Sequence, residues 1–319
     1  MILITGSTGY IGSHLCYYLQ KKKIKFVGID NLSYSYKSNI SQKANHFFFD
    51  ISSKKKVYQL IKEHNIDTVI HAAAFSYVLE AEKEKKKYFL NNVTKTKKFI
   101  DICKKAKIKK FIFFSSSNVY KEKKGMIKIS EKDSINLKNF YGQNKLLIEQ
   151  YLKKTKFDSL VILRLFNIIG IFNPKFKIFN FKKKNYQRLI FKIIQNIKNK
   201  KITNINFIKI NNKIKFPSRD FISIHSLSFI IFKLIIIIKS NKRINKTFNI
   251  GSGIATGINK ITFEIKKRFK NKVKFKYLPI SKKELNYTKA CINNIFRYLK
   301  YKPKFNLIKT LKTHYEQSR

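Results

Sequence analysis

The chain opens on a short apolar run, Ile2-Leu-Ile-Thr5, that passes directly into Gly6-Ser-Thr-Gly9-Tyr-Ile-Gly12. Few folds use that junction. Glycines so placed permit a tight turn, a close approach of backbone to a pyrophosphate, and close packing of a helix on a strand, while the helix start offers N–H donors. The spacing is GxxGxxG rather than GxGxxG, so the loop alone is also compatible with a plain strand–helix turn.

The rhythm of the chain beyond this loop decides the fold class. Strand-like runs over 2–5, 25–30, 45–49, 68–72, 110–115 and 160–166 alternate with helical stretches over 11–22, 54–64, 86–107 and 141–154. That alternation predicts βαβ units and a Rossmann-like, doubly wound parallel sheet. Phe111-Ile-Phe-Phe114 and Val161-Ile-Leu163 are apolar throughout, as strands covered on both faces must be. Residues 1–166 are therefore predicted to form a nucleotide-binding domain and 167–319 mainly a smaller α/β substrate domain. Strand-like returns to the first sheet are expected near 219–226 and 246–251, and an irregular Lys/Asn/Phe-rich stretch covers 179–185.

Charge and composition narrow the partners. The 319 residues carry 70 Lys+Arg against 17 Asp+Glu, a formal net charge of +53. Only seven of those 70 are arginine, the fork that grips phosphates and bases. With Gly 10, Pro 4 and Trp 0, the pattern is that of A+T-rich coding, and no nucleic-acid partner is expected. Cys16, Cys103 and Cys291 are too few and too scattered for a disulfide framework or a metal site, which fits a reducing cytoplasm. The N-terminus does not read as a signal peptide, and the apolar segment 227–238 is too short for a bilayer and reads as a buried helix.

Several residues carry chemistry. Asp30 ends the second strand, 18 residues after Gly12, where a carboxylate accepts from both ribose hydroxyls of an adenosine and repels a 2′-phosphate; a loop cap is the plainer reading. Asp50 follows the third run and reads equally as an adenine contact or a helix cap. Tyr141 and Lys145 stand four apart, on one face of a helix. A free tyrosine titrates at about 10, and neighbouring cations favour its phenolate. Ser115-Ser-Ser117 ends a central strand, where cofactor and substrate meet in open sheets.

Together these residues resemble the extended short-chain dehydrogenase/reductase family, and within it the UDP-glucose 4-epimerases. The similarity runs through Thr5-Gly-Ser-Thr-Gly-Tyr-Ile-Gly-Ser-His14, Asp30-Asn-Leu32, Ile66-Asp-Thr-Val-Ile-His-Ala-Ala73, Asn91-Asn-Val93, Tyr141-Gly-Gln-Asn-Lys-Leu146 and Leu163-Arg-Leu-Phe-Asn167, then Arg219-Asp-Phe-Ile-Ser-Ile-His225 and Phe248-Asn-Ile-Gly-Ser-Gly253. The resemblance implies a bound NAD, held by Gly6, Gly9, Tyr10, Ile11, Gly12, Asp30, Asn31, Asp50, Ile51, Ala72, Ala73, Ala74, Asn92, Tyr141, Lys145 and Phe166. It implies Tyr141 as the base at the sugar 4-hydroxyl, Lys145 as the residue that lowers its pKa and holds the nicotinamide ribose, and Ser116 as an aid to proton transfer, with Ser117 the alternative. Ser116, Asn167, Leu189, Phe207 and Arg219 would hold the UDP-sugar.

The implied reaction is epimerisation at C4 of a UDP-hexose through a transient 4-keto sugar, in a homodimer built on the helices at 86–107 and 141–154. Departures from the family pattern are Ser76 beside the nicotinamide-facing loop, Ser281-Lys-Lys-Glu284 where an arginine and an aspartate are usual, and Lys215-Phe-Pro-Ser218 where glycines are usual. Lys282 or Lys283 is the expected replacement charge, and Thr288 a small residue at the gate to the sugar pocket. A dehydratase would carry an Asp-Glu pair where Ser117-Asn118 stands. The alternatives left open are another nucleotide-sugar epimerase or 4,6-dehydratase, a non-catalytic NAD-binding regulator, and a lysine-rich polyanion binder.

Overall fold

The computed structural model describes all residues except 41–44, 123–124, 126, 136–137, 174, 176–187, 211, 241, 270–271, 304 and 317–319. The irregular stretch expected over 179–185 lies outside the described residues. Strand β1 (Ile2–Thr5) enters α1 (Tyr10–Lys21), followed by β2 (Phe26–Asp30), β3 (Asn45–Phe48), α2 (Lys54–Glu63) and β4 (Thr68–His71). Then come α3 (Val78–Lys83), α4 (Lys85–Phe89), a π-helical turn at Leu90–Thr94, and α5 (Lys95–Lys105). The first half closes with β5 (Lys110–Ser116), α6 (Phe140–Lys154) and β6 (Ser159–Leu165). The second half contains β7 (Asn167–Ile169), α7 (Leu189–Lys198), β8 (Ile202–Ile210), β9 (Lys213–Lys215), β10 (Ser218–Ser223) and α8 (Ile224–Lys239). It ends with β11 (Asn245–Ile250), β12 (Ala255–Gly257), α9 (Ile258–Phe269), β13 (Lys274–Pro279), α10 (Asn293–Leu299) and α11 (Leu307–Glu316).

The main sheet is parallel, in the order β3-β2-β1-β4-β5-β6-β11. Its strands are apolar on both faces because both faces are covered. Leu3, Val69, Phe111 and Ile162 pack with Val57, Phe99 and Ile148 from α2, α5 and α6. The alternate residues Ile4, Ile70, Ile112 and Val161 pack with Leu15 of α1 and Leu227 and Ile231 of α8. Each such side chain taken from water contributes about 1.5–3 kcal/mol. Among the described residues no helix is long and apolar enough to cross a membrane, and the segment over 227–238 is the buried core of α8.

Two expectations are corrected. Of the two predicted returns, β11 joins the main sheet beside β6, but β10 does not: it pairs with β7 and β12 in a separate three-stranded sheet, since the edge of β6 is already taken by β11. The single helix expected over 86–107 is broken at Leu90–Thr94, where the wider π turn carries Asn92 inward. There the Asn92 amide accepts from Phe75 N–H and donates to Phe75 C=O, both at 2.9 Å, and so ties the loop after β4 to this helix.

Helix α6 is fastened to the sheet by a buried ion pair. Arg164 on β6 donates through Nη2 and Nε to Glu149 at 2.7 and 3.1 Å, and Ser115 Oγ donates to the same carboxylate at 2.5 Å. The two side chains are 3% and 1% exposed, so neither has water to fall back on. Glu149→Ala strands the guanidinium and is expected to cost about 3–5 kcal/mol, read as a lower urea midpoint. Glu149→Gln, which keeps the shape and an acceptor, is expected to lose less.

Candidate active site

Strands β1 and β4 lie side by side, and the chain leaves them toward opposite edges of the sheet, which opens a crevice at their carboxyl ends. A cleft of about 780 Å³ occupies it. Its floor is the glycine loop. A Cβ on Gly12 would stand 2.0 Å from the Gly6 carbonyl oxygen, and Gly6 itself sits at φ +68° against the backbone of Ala73. The close packing thus leaves bare backbone and the first turn of α1 facing the cleft, as a pyrophosphate requires. Tyr10 lines the same wall, its hydroxyl donating to Gly170 C=O at 2.7 Å.

Asp30 lines the cleft beside this loop. Its carboxylate accepts from Thr8 N–H at 3.1 Å and Leu32 N–H at 2.8 Å. Burial raises its pKa while those hydrogen bonds pull it down. Asp50 stands one layer back and does not line the cleft: Lys95 at 2.6 Å, Ser52 and Asn31 all donate to it. Burial raises its pKa, but those donors outweigh it and bring it to about 2. Its neighbour Ile51, together with Asn31, reaches the cleft instead. Asn92 is likewise spent on Phe75, and Asn91 takes the lining position.

The opposite wall is formed by the end of β5 and the start of α6. Ser116, Tyr141 and Lys145 all line it, whereas Ser117, one residue on, turns into the protein and does not. The reason for this approach is Gly142. A Cβ there would lie 2.2 Å from Asn118 C=O, so only glycine lets the helix lean this closely on the strand-end turn. Asn139 caps the helix, its Oδ1 accepting from Gly142 N–H at 2.8 Å.

The electrostatics of this wall are set by burial and by nearby cations. Burial pushes the Tyr141 phenol up to about 12, against downward pulls from the Arg188 guanidinium and a hydrogen bond with Ser116. The groups that oppose burial most directly are thus Arg188 and Ser116, and Lys145 stands nearby on the same helix. That ammonium sits 5.9 Å from the Tyr141 ring centre, donates to Phe114 C=O at 2.7 Å and is itself brought down to about 7 by burial, with Glu149 opposing. A further cation acting on Tyr141 is Arg188, which lines the cleft with its guanidinium 4.7 Å from the Tyr10 ring. Sequence reasoning missed it. The only signal was arginine's rarity in this chain.

On the far side, Phe166, Asn167, Leu189 and Arg219 line the cleft with Ala72, Ala73, Ala74 and Ser76. Phe207 does not; on β8 the alternate residues Asn204 and Asn206 face the cleft, so the expected contact is off by one. Lys282 and Lys283 do not line it either, and Glu284 does, accepting from Asn206 Nδ2 at 3.0 Å. Thr288 is buried, its hydroxyl accepting from Asp220 N–H at 3.3 Å, and does not line the cleft. Asp220, also missed, accepts from Ser252, Gly253 and Ala290 N–H and so fixes the strand that carries Arg219. No His/Cys/Asp/Glu group among the described residues is arranged to hold a metal ion.

Gly142→Ala is expected to drive α6 off the strand-end turn, lowering the urea midpoint and separating Tyr141 from Ser116. Lys145 has the opposite signature. Because its folded pKa is depressed to about 7, the unfolded chain binds the extra proton above that pH, so stability rises from about pH 7 toward pH 10. Lys145→Met is therefore expected to raise the urea midpoint most below pH 7, with the gain shrinking as pH rises.

A model of the NAD dependent epimerase/dehydratase family matches residues 2–251. The UDP-glucose 4-epimerase of Haemophilus influenzae is 35% identical over 182 residues, 53% of each chain. The dTDP-D-glucose 4,6-dehydratase of Dictyostelium discoideum is 33% identical over 193 residues, 53% of this chain and 44% of that one. The matched stretch thus spans about half the length of these curated relatives. Among solved structures, the Stenotrophomonas maltophila UDP-glucose-4-epimerase with bound NAD and formylated UDP-arabinopyranose superposes with TM-score 0.90 at 23% identity, covering 99% of this chain and 97% of that one. The Bacillus cereus UDP-glucuronic acid 4-epimerase, in complex with UDP-glucuronic acid and NAD, gives 0.83 at 26% identity over 99% and 98%. Cofactor and fold of that family agree with a glycine cradle, a buried acid and a switch-point cleft in this one, and the chain belongs to the NAD dependent epimerase/dehydratase family.

Proposed function

We propose that the protein epimerises a UDP-hexose at C4, interconverting UDP-galactose and UDP-glucose. The observation that carries this reading is the convergence of Ser116, Tyr141 and Lys145 on one cleft wall, facing the glycine loop. Gly6, Gly9, Gly12 and Asp30 would hold the NAD, with Asn31, Ile51 and Ala72 to Ala74 around the adenosine and Tyr141, Lys145 and Phe166 around the nicotinamide. Bound NAD supplies the two-electron acceptor and donor at the sugar ring.

Tyr141 takes the proton from the 4-hydroxyl as that carbon is oxidised and returns it when the carbon is reduced on the other face. A phenol held near 12 is a weak base at neutral pH, so ionisation needs cations close by. Arg188 and a positively charged nicotinamide both favour the phenolate. Arg219 and Arg188 offer guanidinium forks for the diphosphate, and Asn167 and Leu189 line the path between. A dehydratase is disfavoured because Ser117 and Asn118 stand where it would need an acid and a base. The same reading places the enzyme in the cytoplasm, as a homodimer built on the helices over 86–107 and 141–154.

Purified protein is expected to carry NAD and to interconvert UDP-galactose and UDP-glucose without added cofactor. Tyr141→Phe is expected to abolish turnover and keep the NAD, read by absorbance after denaturation. Interconversion that survives this substitution removes Tyr141 as the base.

A further inference from the structure

We propose that Asn139 and Asn118 are positioning residues that fix the direction of the Ser116 proton, so that this hydroxyl only donates into the cleft. The inference deepens the reading of Tyr141 as the base and rests on it. The polarity of one group in the chain of contacts is fixed by its chemistry. Gly142 N–H can only donate, and it donates to the Asn139 side chain at 2.8 Å, which fixes that atom as Oδ1. The other end of the Asn139 amide is therefore Nδ2, and it also approaches Lys283 C=O, which can only accept, at 3.5 Å. Asn139 Nδ2 donates to Asn118 at 3.2 Å, so the Asn118 atom it meets is Oδ1.

The Asn118 amide is thereby turned with Nδ2 toward Ser116, donating to Oγ at 3.1 Å. Asn118 backbone N–H donates to the same Oγ at 3.2 Å. A hydroxyl has two acceptor sites and one proton. Both acceptor sites of Ser116 are filled by Asn118, and its proton is left for the cleft wall that it shares with Tyr141. Ser116 thus gives its one proton into the cleft, toward Tyr141 or the sugar oxygen beside it. It does not pick up the sugar proton and pass it on; that proton goes directly to Tyr141. A donor aimed at a phenol oxygen favours the ionised form. The relay runs from the first turn of α6 back to the residue that Tyr141 faces, so the helix sets its own catalytic hydrogen bond.

Two near-isosteric substitutions test this. Asn118→Asp replaces the donor with a carboxylate oxygen that accepts from Ser116 and turns its proton away from Tyr141. Asn139→Asp keeps the helix cap but cannot donate to Asn118, whose amide is then free to flip and present Oδ1 to Ser116. Both are expected to lower kcat by about tenfold to a hundredfold, the range of one hydrogen bond to an ionised partner. Both are also expected to move the acidic limb of the kcat profile up by about one pH unit, with bound NAD and KM little changed. The charged or titratable groups around Tyr141 are Lys145 on its own helix, Arg188 ahead of α7, Glu82 on α3 and Tyr88 on α4; neither substitution replaces them.

An unmoved limb and unchanged kcat in both variants overturn the proposal. If one variant fails to fold, the other decides. Asn118→Ala, which removes the amide but keeps the backbone donor, provides a third measurement, expected to move the limb in the same direction by less; no shift there counts against the relay. A titration of phenolate absorbance, with Tyr141→Phe as the blank, reads the same shift without any turnover. A wild-type protein inactive on UDP-sugars would defeat the proposed function while leaving that titration to decide the relay.

Discussion

The site depends on how closely one helix approaches one strand end. Helix α6 meets the turn after β5 at a distance that only Gly142 permits, and this single contact brings Tyr141, Lys145 and Ser116 to a common wall. Beyond the apolar packing of Ile148 and Leu152, what holds α6 in that position is polar and buried. The Arg164–Glu149 pair fastens its middle, Asn139 caps its start, and Lys145 reaches across to Phe114 C=O. Such groups contribute little net stability when paired, and the charge of Lys145 is a net cost at neutral pH, so they set position more than they add strength.

Much of this architecture is legible in the sequence, for a physical reason. Strands buried on both faces must be continuously apolar, so β5 and β6 are visible as runs of Phe, Ile, Val and Leu. The glycine loop is visible because a Cβ at Gly12 or Gly6 has nowhere to go. Tyr141 and Lys145 are visible because helical spacing alone puts them on one face.

The features that are not legible depend on register and on competition between partners. Asp50 and Asn92 look like cofactor contacts by type and place, yet Lys95 and Phe75 claim them, and adjacent residues line the cleft. Phe207 is misplaced by one position on β8, which in a strand exchanges one face for the other. β10 carries the right composition for the main sheet but finds its hydrogen bonds on β7. The titration of Tyr141 is hidden as well, because it depends on how deeply the phenol is buried and on Arg188, which no local pattern marks.

The scarcity of arginine acquires a meaning from where the few arginines stand. Arg164 holds the buried carboxylate under α6, and Arg188 and Arg219 line the cleft, while Arg243, Arg268 and Arg297 are exposed. Lysine supplies most of the solvated charge, and three of the six described arginines stand at interior or cleft-facing positions where a planar fork has partners to grip. An exterior crowded with ammonium groups therefore acts as a stain: the interior positions it leaves uncoloured outline the working part of the molecule.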